Sequence, residues 1–92
     1  ADLEDCQMEM CVLAHARMKN ANLQRANLRE SLLEDARLDG VRASMANFSG
    51  ANLVGVRMRG ADLRGATFFG TNLEGADLSN SNLSDACFEG AR

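Results

Sequence analysis

Residues 55–75 read GVRMRGADLRGATFFGTNLEG, and glycine returns at positions 55, 60, 65, 70 and 75 without a slip. Side chains repeat every two residues along a strand and every 3.6 residues along a helix. A period of five fits neither element. The spacing of these glycines is therefore set by a different backbone geometry.

The five-residue period runs the whole length of the chain. Counted from Ala1, the 92 residues divide into eighteen blocks of five with two residues left over and no insertion. The third place of every block holds Leu, Met or Phe except at Ala43, the first place is Ala, Ser, Cys, Thr or Val, and all eight glycines occupy the fifth place. A fixed internal repeat of this kind decides the fold before any local pattern does.

This period excludes an amphipathic helix, because residues five apart advance about 500° and would spiral around every face. In a coil of short extended sides, the third residue points inward and its two neighbours point outward. The fifth and first places then form a corner. A type II turn needs a positive φ at its third residue, which suits glycine. We predict mostly type II corners in the glycine-rich second half and mostly type I corners before Gly40, where the fifth places are other residues.

Five blocks, ANLQR, ANLRE, ANLVG, ADLRG and ADLSN, match the pattern A(D/N)LXX letter for letter. In this pattern the sequence resembles the pentapeptide-repeat protein family along all 92 residues. The resemblance implies an all-β fold, a right-handed quadrilateral parallel β-helix (solenoid) with four blocks per coil and about 4.6 coils. We expect residues 1–92 to form a single repeat domain that is a fragment of a longer chain.

Four blocks per coil place residues twenty apart in one column. One third-place column is Leu13, Leu33, Leu53 and Leu73. Another is Met8, Leu28, Phe48, Phe68 and Phe88. Ala43 leaves a gap that we expect Val41 to fill in part. Stacked second-place amides such as Asn27 and Asn47 are expected to hydrogen-bond along the axis.

Composition limits the classes of partner. The chain is 46% hydrophobic and 25% charged with a net charge of −3, which is typical of a folded protein and unlike a nucleic-acid binder. No apolar run approaches the roughly 18 residues needed to span a bilayer, so no membrane partner is expected. Three cysteines without a disulfide spacing pattern favour a reducing compartment such as the cytoplasm.

One side of the coil, centred on residues 18, 38, 58 and 78 and called here the basic side, carries a net +3, while the other three sides each carry a net −2. Its second-place column holds Arg17, Arg37 and Arg57, the basic stripe. Two hypotheses stay open for these arginines. Either they form a solvated face whose mutual repulsion is reduced by Asp39, Asp77 and counterions, or they bind an acidic protein surface. Nucleic acid fits poorly, because no aromatic residues are interleaved for base stacking.

The preceding side, centred on residues 13, 33, 53 and 73, is called here the apolar side. Val12 and Leu32 occupy outward second places that elsewhere mostly hold Asn, Asp or Arg. Val54 is outward on the same side, and Met10 lies at the adjoining corner. Contiguous exposed apolar residues mark contact surfaces, although stray ones occur on any protein. We predict a protein contact here.

No catalytic or metal-binding constellation is evident. His15 is the only histidine, and no serine is placed to pair with it. A metal site built from Cys6, Cys11 and His15 would need three side chains to converge that the coil separates. We therefore predict no enzyme activity, no cofactor and no metal.

These observations predict a non-catalytic structural scaffold and protein–protein interaction module within a larger protein or assembly. Protein partners are expected to contact the sides or the coil ends, and end-to-end association is a further expectation. The resemblance supplies an alternative, because some pentapeptide-repeat proteins mimic DNA and modulate type II topoisomerases such as DNA gyrase. Those proteins are longer, dimeric and more acidic than this chain.

Overall fold

The computed structural model describes residues 4–92. Within that range, thirteen isolated parallel bridges join residues twenty positions apart, from Gln7 with Asn27 to Thr67 with Cys87. Each bridge lies at the second place of a block, and no helix or longer strand is formed in residues 4–92, hence none that would cross a membrane. The predicted twenty-residue register is confirmed, and the chain is a β-helix solenoid.

Every corner of the coil is a turn across the fourth and fifth places of a block. The third-place carbonyl typically accepts a hydrogen bond from the first-place N–H of the next block, as between Phe48 and Ala51 at 3.0 Å. All fifth places in residues 4–92 have positive φ, 65–71° at the glycines and 57–63° at ten other residues. A positive φ at the third turn residue alone defines type II. The prediction of type I corners before Gly40 is therefore wrong.

A hydrogen bond between coils recurs in both halves of the chain, at every fifth place from Asp5 to Gly70. The fifth-place N–H donates to the fourth-place carbonyl of the next coil, for example from Asp5 to Gln24 and from Gly50 to Phe69, both at 2.9 Å. This bond uses only backbone atoms, so it forms whichever side chain is present. Asn80 and Asp85 do not donate it, but the carbonyls of the residues before them accept it from Gly60 and Gly65, and both keep a positive φ. Residues such as Arg25 adopt a left-handed backbone that they would otherwise avoid.

Four of the eight glycines, at positions 40, 50, 55 and 65, lie beneath a side chain that leans along the axis from the coil before. A Cβ built on Gly40 would collide with the Asn20 side chain, and one built on Gly55 would collide with Asp35. By contrast, nothing lies within 4 Å of a Cβ built on Gly60. A side chain one coil earlier therefore leans over some of the corner glycines, whereas the space at Gly60 and Gly70 is open.

Third-place and first-place side chains form the core. Leu53 and Phe68 are fully buried, and Leu73 packs against the same cluster, as the column pattern predicts. The rings of Phe48 and Phe68 stack with centroids 5.2 Å apart, and those of Phe68 and Phe88 are 4.8 Å apart. The predicted aromatic column is confirmed.

The side chains of second-place Asn and Asp residues accept hydrogen bonds from the backbone of their own corner. The Oδ1 atoms of Asn47 and Asn52 accept the N–H two residues ahead, at 3.0 and 3.1 Å. The predicted amide ladder along the axis forms only from Asn27 Nδ2 to Gln7 Oε1, at 3.1 Å, among the residues described. The ladder prediction is otherwise wrong, because the side-chain oxygen bonds to the backbone N–H two residues ahead, which is nearer than the amide of the next coil. This local bond gives the repeat a reason to prefer Asn or Asp at its second place.

Ala43 and Val41 are both fully buried, so the gap at Ala43 is closed rather than open to water. We expect Ala43→Leu to lower the free energy of unfolding by about 1–3 kcal/mol, because added methylenes overpack a closed core. Ala43→Leu combined with Val41→Ala should recover much of that loss. Thermal denaturation of the three proteins is the measurement, and an unchanged melting temperature for Ala43→Leu alone would contradict the pairing.

Met10 has a φ of 60° and a side chain that is 75% exposed. Met10→Gly should raise the free energy of unfolding by about 1 kcal/mol, since glycine adopts this backbone without a Cβ penalty. Met10→Ala is the matched control, because it removes the same side chain and keeps the Cβ. Equal denaturant midpoints for the two variants would show that the corner is not strained.

Candidate protein-contact face

The basic stripe is a continuous column on the basic side. Parallel bridges join Arg17 to Arg37, Arg37 to Arg57, and Arg57 to Asp77. All three arginines are exposed. Adjacent positions in such a ladder are about 4.8 Å apart, so the guanidinium groups share one strip of surface.

The stripe is neutralised at one end only. The carboxylate of Asp39 accepts the N–H of Arg59 at 2.9 Å and lies 3.8 Å from the Arg57 guanidinium and 3.5 Å from that of Arg59. The backbone hydrogen bond from Arg59, followed by its guanidinium and the charge of Arg57, holds the pKa of Asp39 below its usual value. In contrast, Arg17 and Arg37 form no ion pair within the described residues. Within the basic stripe, these two are the cations that remain available.

Asp77 adds to this neutralisation. The Ser79 hydroxyl donates to its carboxylate at 2.5 Å, and the Ser79 N–H donates at 3.0 Å. These bonds, with the charges of Arg59 and Arg57, lower the pKa of Asp77. The anion is therefore retained beside Arg57, and the positive potential of the stripe is concentrated in the coils of Arg17 and Arg37.

A shallow groove of about 400 Å³ runs along the corner that leads onto the stripe. Its lining comprises His15, Arg17, Asp35, Arg37, Gly55 and Arg57. Gly55 contributes no side chain, and Asp35 leans over it, which leaves an open trough beside the arginines. The groove carries three positive charges against one carboxylate.

Three of the four predicted apolar contact residues lie close together. Val12 is bridged to Leu32, their exposed fractions are 73% and 41%, and Met10 is 75% exposed at the corner two residues before Val12. Val54 is half-buried and stacks in the fourth-place column between Glu34 and Glu74. The coil therefore brings Met10, Val12 and Leu32 together and sets Val54 apart from them.

Val12 and Leu32 lack a hydrogen bond that the next two members of their column make. In the same column, Asn52 and Asn72 each accept the N–H two residues ahead at 3.1 Å. The corresponding N–H groups of Ala14 and of Glu34 have no acceptor in the protein among residues 4–92. A local departure from the stabilising pattern, combined with high exposure, is what a contact residue is expected to display.

The apolar patch and the basic stripe share a corner, which the sequence interpretation missed. Val12 and Arg17 are one block apart, and so are Leu32 and Arg37, with His15 and its column between the two pairs. The spacing of the sequence contains this signal. Apolar residues take the place of Asn or Asp at positions 12 and 32, and arginines do so at positions 17 and 37, in the same two coils. Glu34, between them on the apolar side, has a buried Oε1 without a hydrogen-bond partner.

The remaining candidates for chemistry stay apart. His15 lines the groove with arginines, Cys6 and Cys11 are half-buried free thiols, and Cys87 is an exposed one. In the part of the chain that the structure describes, no three His, Cys, Asp or Glu residues lie close enough to hold a metal ion. Phe69 is 54% exposed on another side of the coil.

Sequence profiles identify the repeat. A profile described as pentapeptide repeats in eight copies matches residues 1–35 and 31–69, and one of nine copies matches residues 53–92. Together they cover the chain from end to end. A search of curated protein sequences gave no significant match.

Solved structures give the same fold. A pentapeptide repeat protein from the thylakoid lumen of Arabidopsis thaliana superposes with a TM-score of 0.94 at 25% identity, covering 98% of this chain and 63% of that one. QnrB1, a plasmid-mediated fluoroquinolone resistance protein, gives 0.71 at 25% identity, covering 96% and 48%. HetL of Nostoc sp. strain PCC 7120, involved in heterocyst differentiation regulation, gives 0.61 at 25% identity, covering 98% and 56%. The chain spans about half to two thirds of each.

Replacing Val12 by the residue its column prefers should stabilise the protein. We expect Val12→Asn to raise the free energy of unfolding by about 1 kcal/mol, because Oδ1 would accept the free N–H of Ala14. Val12→Ala is the control, since it shortens the side chain without supplying an acceptor. If both variants raise the free energy of unfolding equally in chemical denaturation, the missing hydrogen bond is not the reason that Val12 lowers stability.

Proposed function

This chain belongs to the pentapeptide repeat family, and on that premise we propose that it is a non-catalytic scaffold and protein–protein interaction module. In this proposal residues 1–92 form one right-handed quadrilateral β-helix of about 4.6 coils within a longer protein or assembly. Its role is to hold protein partners at fixed spacing on rigid sides. Catalysis is not proposed, because the titratable groups lie on open sides of a convex rod, where burial does little to tune a pKa.

The observation that carries the proposal is the pair Val12 and Leu32. Both are exposed, they are adjacent, and they replace residues that would cap their own corners. Selection for stability alone favours Asn at these places. A partner that buries both side chains would offset the free energy lost with the missing hydrogen bonds, since each buried aliphatic side chain contributes about 1.5–3 kcal/mol.

The proposed contact residues are Met10, Val12, Leu32 and Val54 on the apolar side and Arg17, Arg37 and Arg57 on the basic side. Val54 and Arg57 are the weaker members, since Val54 is half-buried and Arg57 shares Asp39 with Arg59. Contacts at the coil ends and end-to-end association remain predictions.

Modulation of DNA gyrase is the second candidate, supported by the similarity of fold to QnrB1. Two features weigh against it. This chain spans 48% of that protein, and one of its four sides carries a net positive charge where a mimic of DNA would be acidic. The scaffold proposal accounts for the apolar and basic surfaces, which DNA mimicry leaves unexplained.

A gyrase supercoiling assay separates the two candidates. We expect no inhibition and no protection of the enzyme from fluoroquinolone when this protein is present at a stoichiometric level. Clear inhibition or protection would reverse the ranking. QnrB1 in the same assay is the positive control.

Partner retention tests the scaffold directly. The immobilised protein should retain a set of proteins that the double variant Val12→Asn, Leu32→Asn loses, as measured by quantitative mass spectrometry. The matched control is Phe69→Ser, which removes an exposed apolar side chain from another side and installs the residue found at Ser49 in its column. Equal retention by the wild type and the double variant would contradict the proposal.

A further inference from the structure

We propose that Val12, Leu32, Arg17 and Arg37 form one composite docking face, folded around the corner at His15 and Asp35, which binds a single acidic protein segment carrying apolar side chains. The inference rests on the proposed scaffold function and names the class of partner. The two surfaces were predicted separately. Their union follows from the register, which places both pairs in the same two coils.

The corner between the two surfaces is rigid. Ala16 N–H donates to the Leu13 carbonyl and Ala36 N–H to the Leu33 carbonyl, both at 3.0 Å. The two corners are then tied together by the His15 N–H, which donates to the Glu34 carbonyl at 2.9 Å. The apolar and basic halves of the face are therefore held in a fixed relation before a partner arrives, which lowers the entropic cost of binding.

Charge decides the chemistry of the partner. Arg17 and Arg37 have no ion pair among the described residues, whereas Arg57 lies 3.8 Å from Asp39. The negative groups at the same corner are Asp35, which leans along the axis over Gly55, and Glu34, whose Oε1 is buried. Two free guanidinium groups on the rim of an open groove are suited to carboxylates, which they bind through two parallel N–H donors.

An acidic protein segment fits better than a membrane or a nucleic acid. The apolar part of the face consists of a few aliphatic side chains, too little for insertion into a bilayer interface, and the other sides of the rod carry a net −2 each and would be repelled by anionic lipid. For nucleic acid, the face has no exposed aromatic side chain on which a base would stack. The exposed rings of Phe69 and Phe88 lie on a different side.

The test is a titration of the isotope-labelled protein with short synthetic peptides, followed by NMR of the backbone amides. Three peptides are compared: one rich in Glu with interspersed Leu, one rich in Glu with Ser in place of Leu, and one rich in Lys with the same Leu residues. We expect the Glu/Leu peptide to bind tightest and to shift the amides of residues 12–17 and 32–37. Shifts centred elsewhere, no shifts, or equal binding of either other peptide would overturn the inference.

Matched variants separate the two halves of the face. Val12→Asn with Leu32→Asn should weaken the Glu/Leu peptide about tenfold. Arg37→Gln should weaken it about threefold, while Arg42→Gln, at an exposed second place on another side, should leave it unchanged. Asp35→Asn keeps the side-chain shape, removes a like charge, and should tighten binding about twofold. Loss of affinity in only the arginine variant would show that the surfaces act separately and would overturn the composite face.

Two further probes exclude the other partner classes. Vesicles of phosphatidylcholine with phosphatidylserine and a duplex oligonucleotide should leave the amides of residues 12–17 and 32–37 unshifted. A shift of these amides by either probe, matching the effect of the Glu/Leu peptide, would overturn the assignment to an acidic protein segment. The scaffold proposal is judged separately by partner retention and the gyrase assay, so the composite face can fail while the proposed function stands.

Discussion

The structure depends on one backbone hydrogen bond, which runs from the N–H of a fifth-place residue to the fourth-place carbonyl of the next coil and forms at every fifth place from Asp5 to Gly70. This bond forms at Asp5 and at Gly50 alike, and it holds the corner in a left-handed conformation whichever side chain is present. Because every corner turns by the same geometry, residues twenty apart stack without drift. The inward side chains then meet in columns, and the core follows from that stacking.

The same constraint fixes the positions of the residues in the proposed recognition surface. Second-place residues stand in bridged columns, so a single departure from Asn or Asp places a different chemistry at a defined height on a defined side. The usual Asn or Asp is replaced by an apolar residue at Val12 and Leu32 and by a cation at Arg17 and Arg37, within the same two coils. The ion pairs around Asp39 neutralise the later part of the basic stripe and leave the earlier part exposed. The fold supplies fixed positions, and the departures from the repeat supply the chemistry.

Most of the fold was predictable, because a strict five-residue period encodes the register and the inward columns directly. The turn type was predicted wrongly before Gly40, since residues such as Arg25 have a low propensity for positive φ and the bond that enforces it joins separate coils. The amide ladder was overestimated because Asn47 has a nearer donor in its own corner. The two proposed contact surfaces follow from residues such as Val12 and Arg17 in the sequence, whereas their shared corner depends on how neighbouring sides meet, which the column of one side does not encode.

Native-state hydrogen exchange followed by NMR tests the central claim, that the corners are fixed between coils and that the proposed contact residues Val12 and Leu32 leave their own corners uncapped. The account predicts protected amides at His15 and Asp35, protected amides at Val54 and Glu74, and fast exchange at the uncapped amides of residues 14 and 34. Fast exchange at His15 and Asp35 would contradict the inter-coil bond. Protection at residues 14 and 34 equal to that at Val54 and Glu74 would contradict the cost assigned to the apolar contact residues.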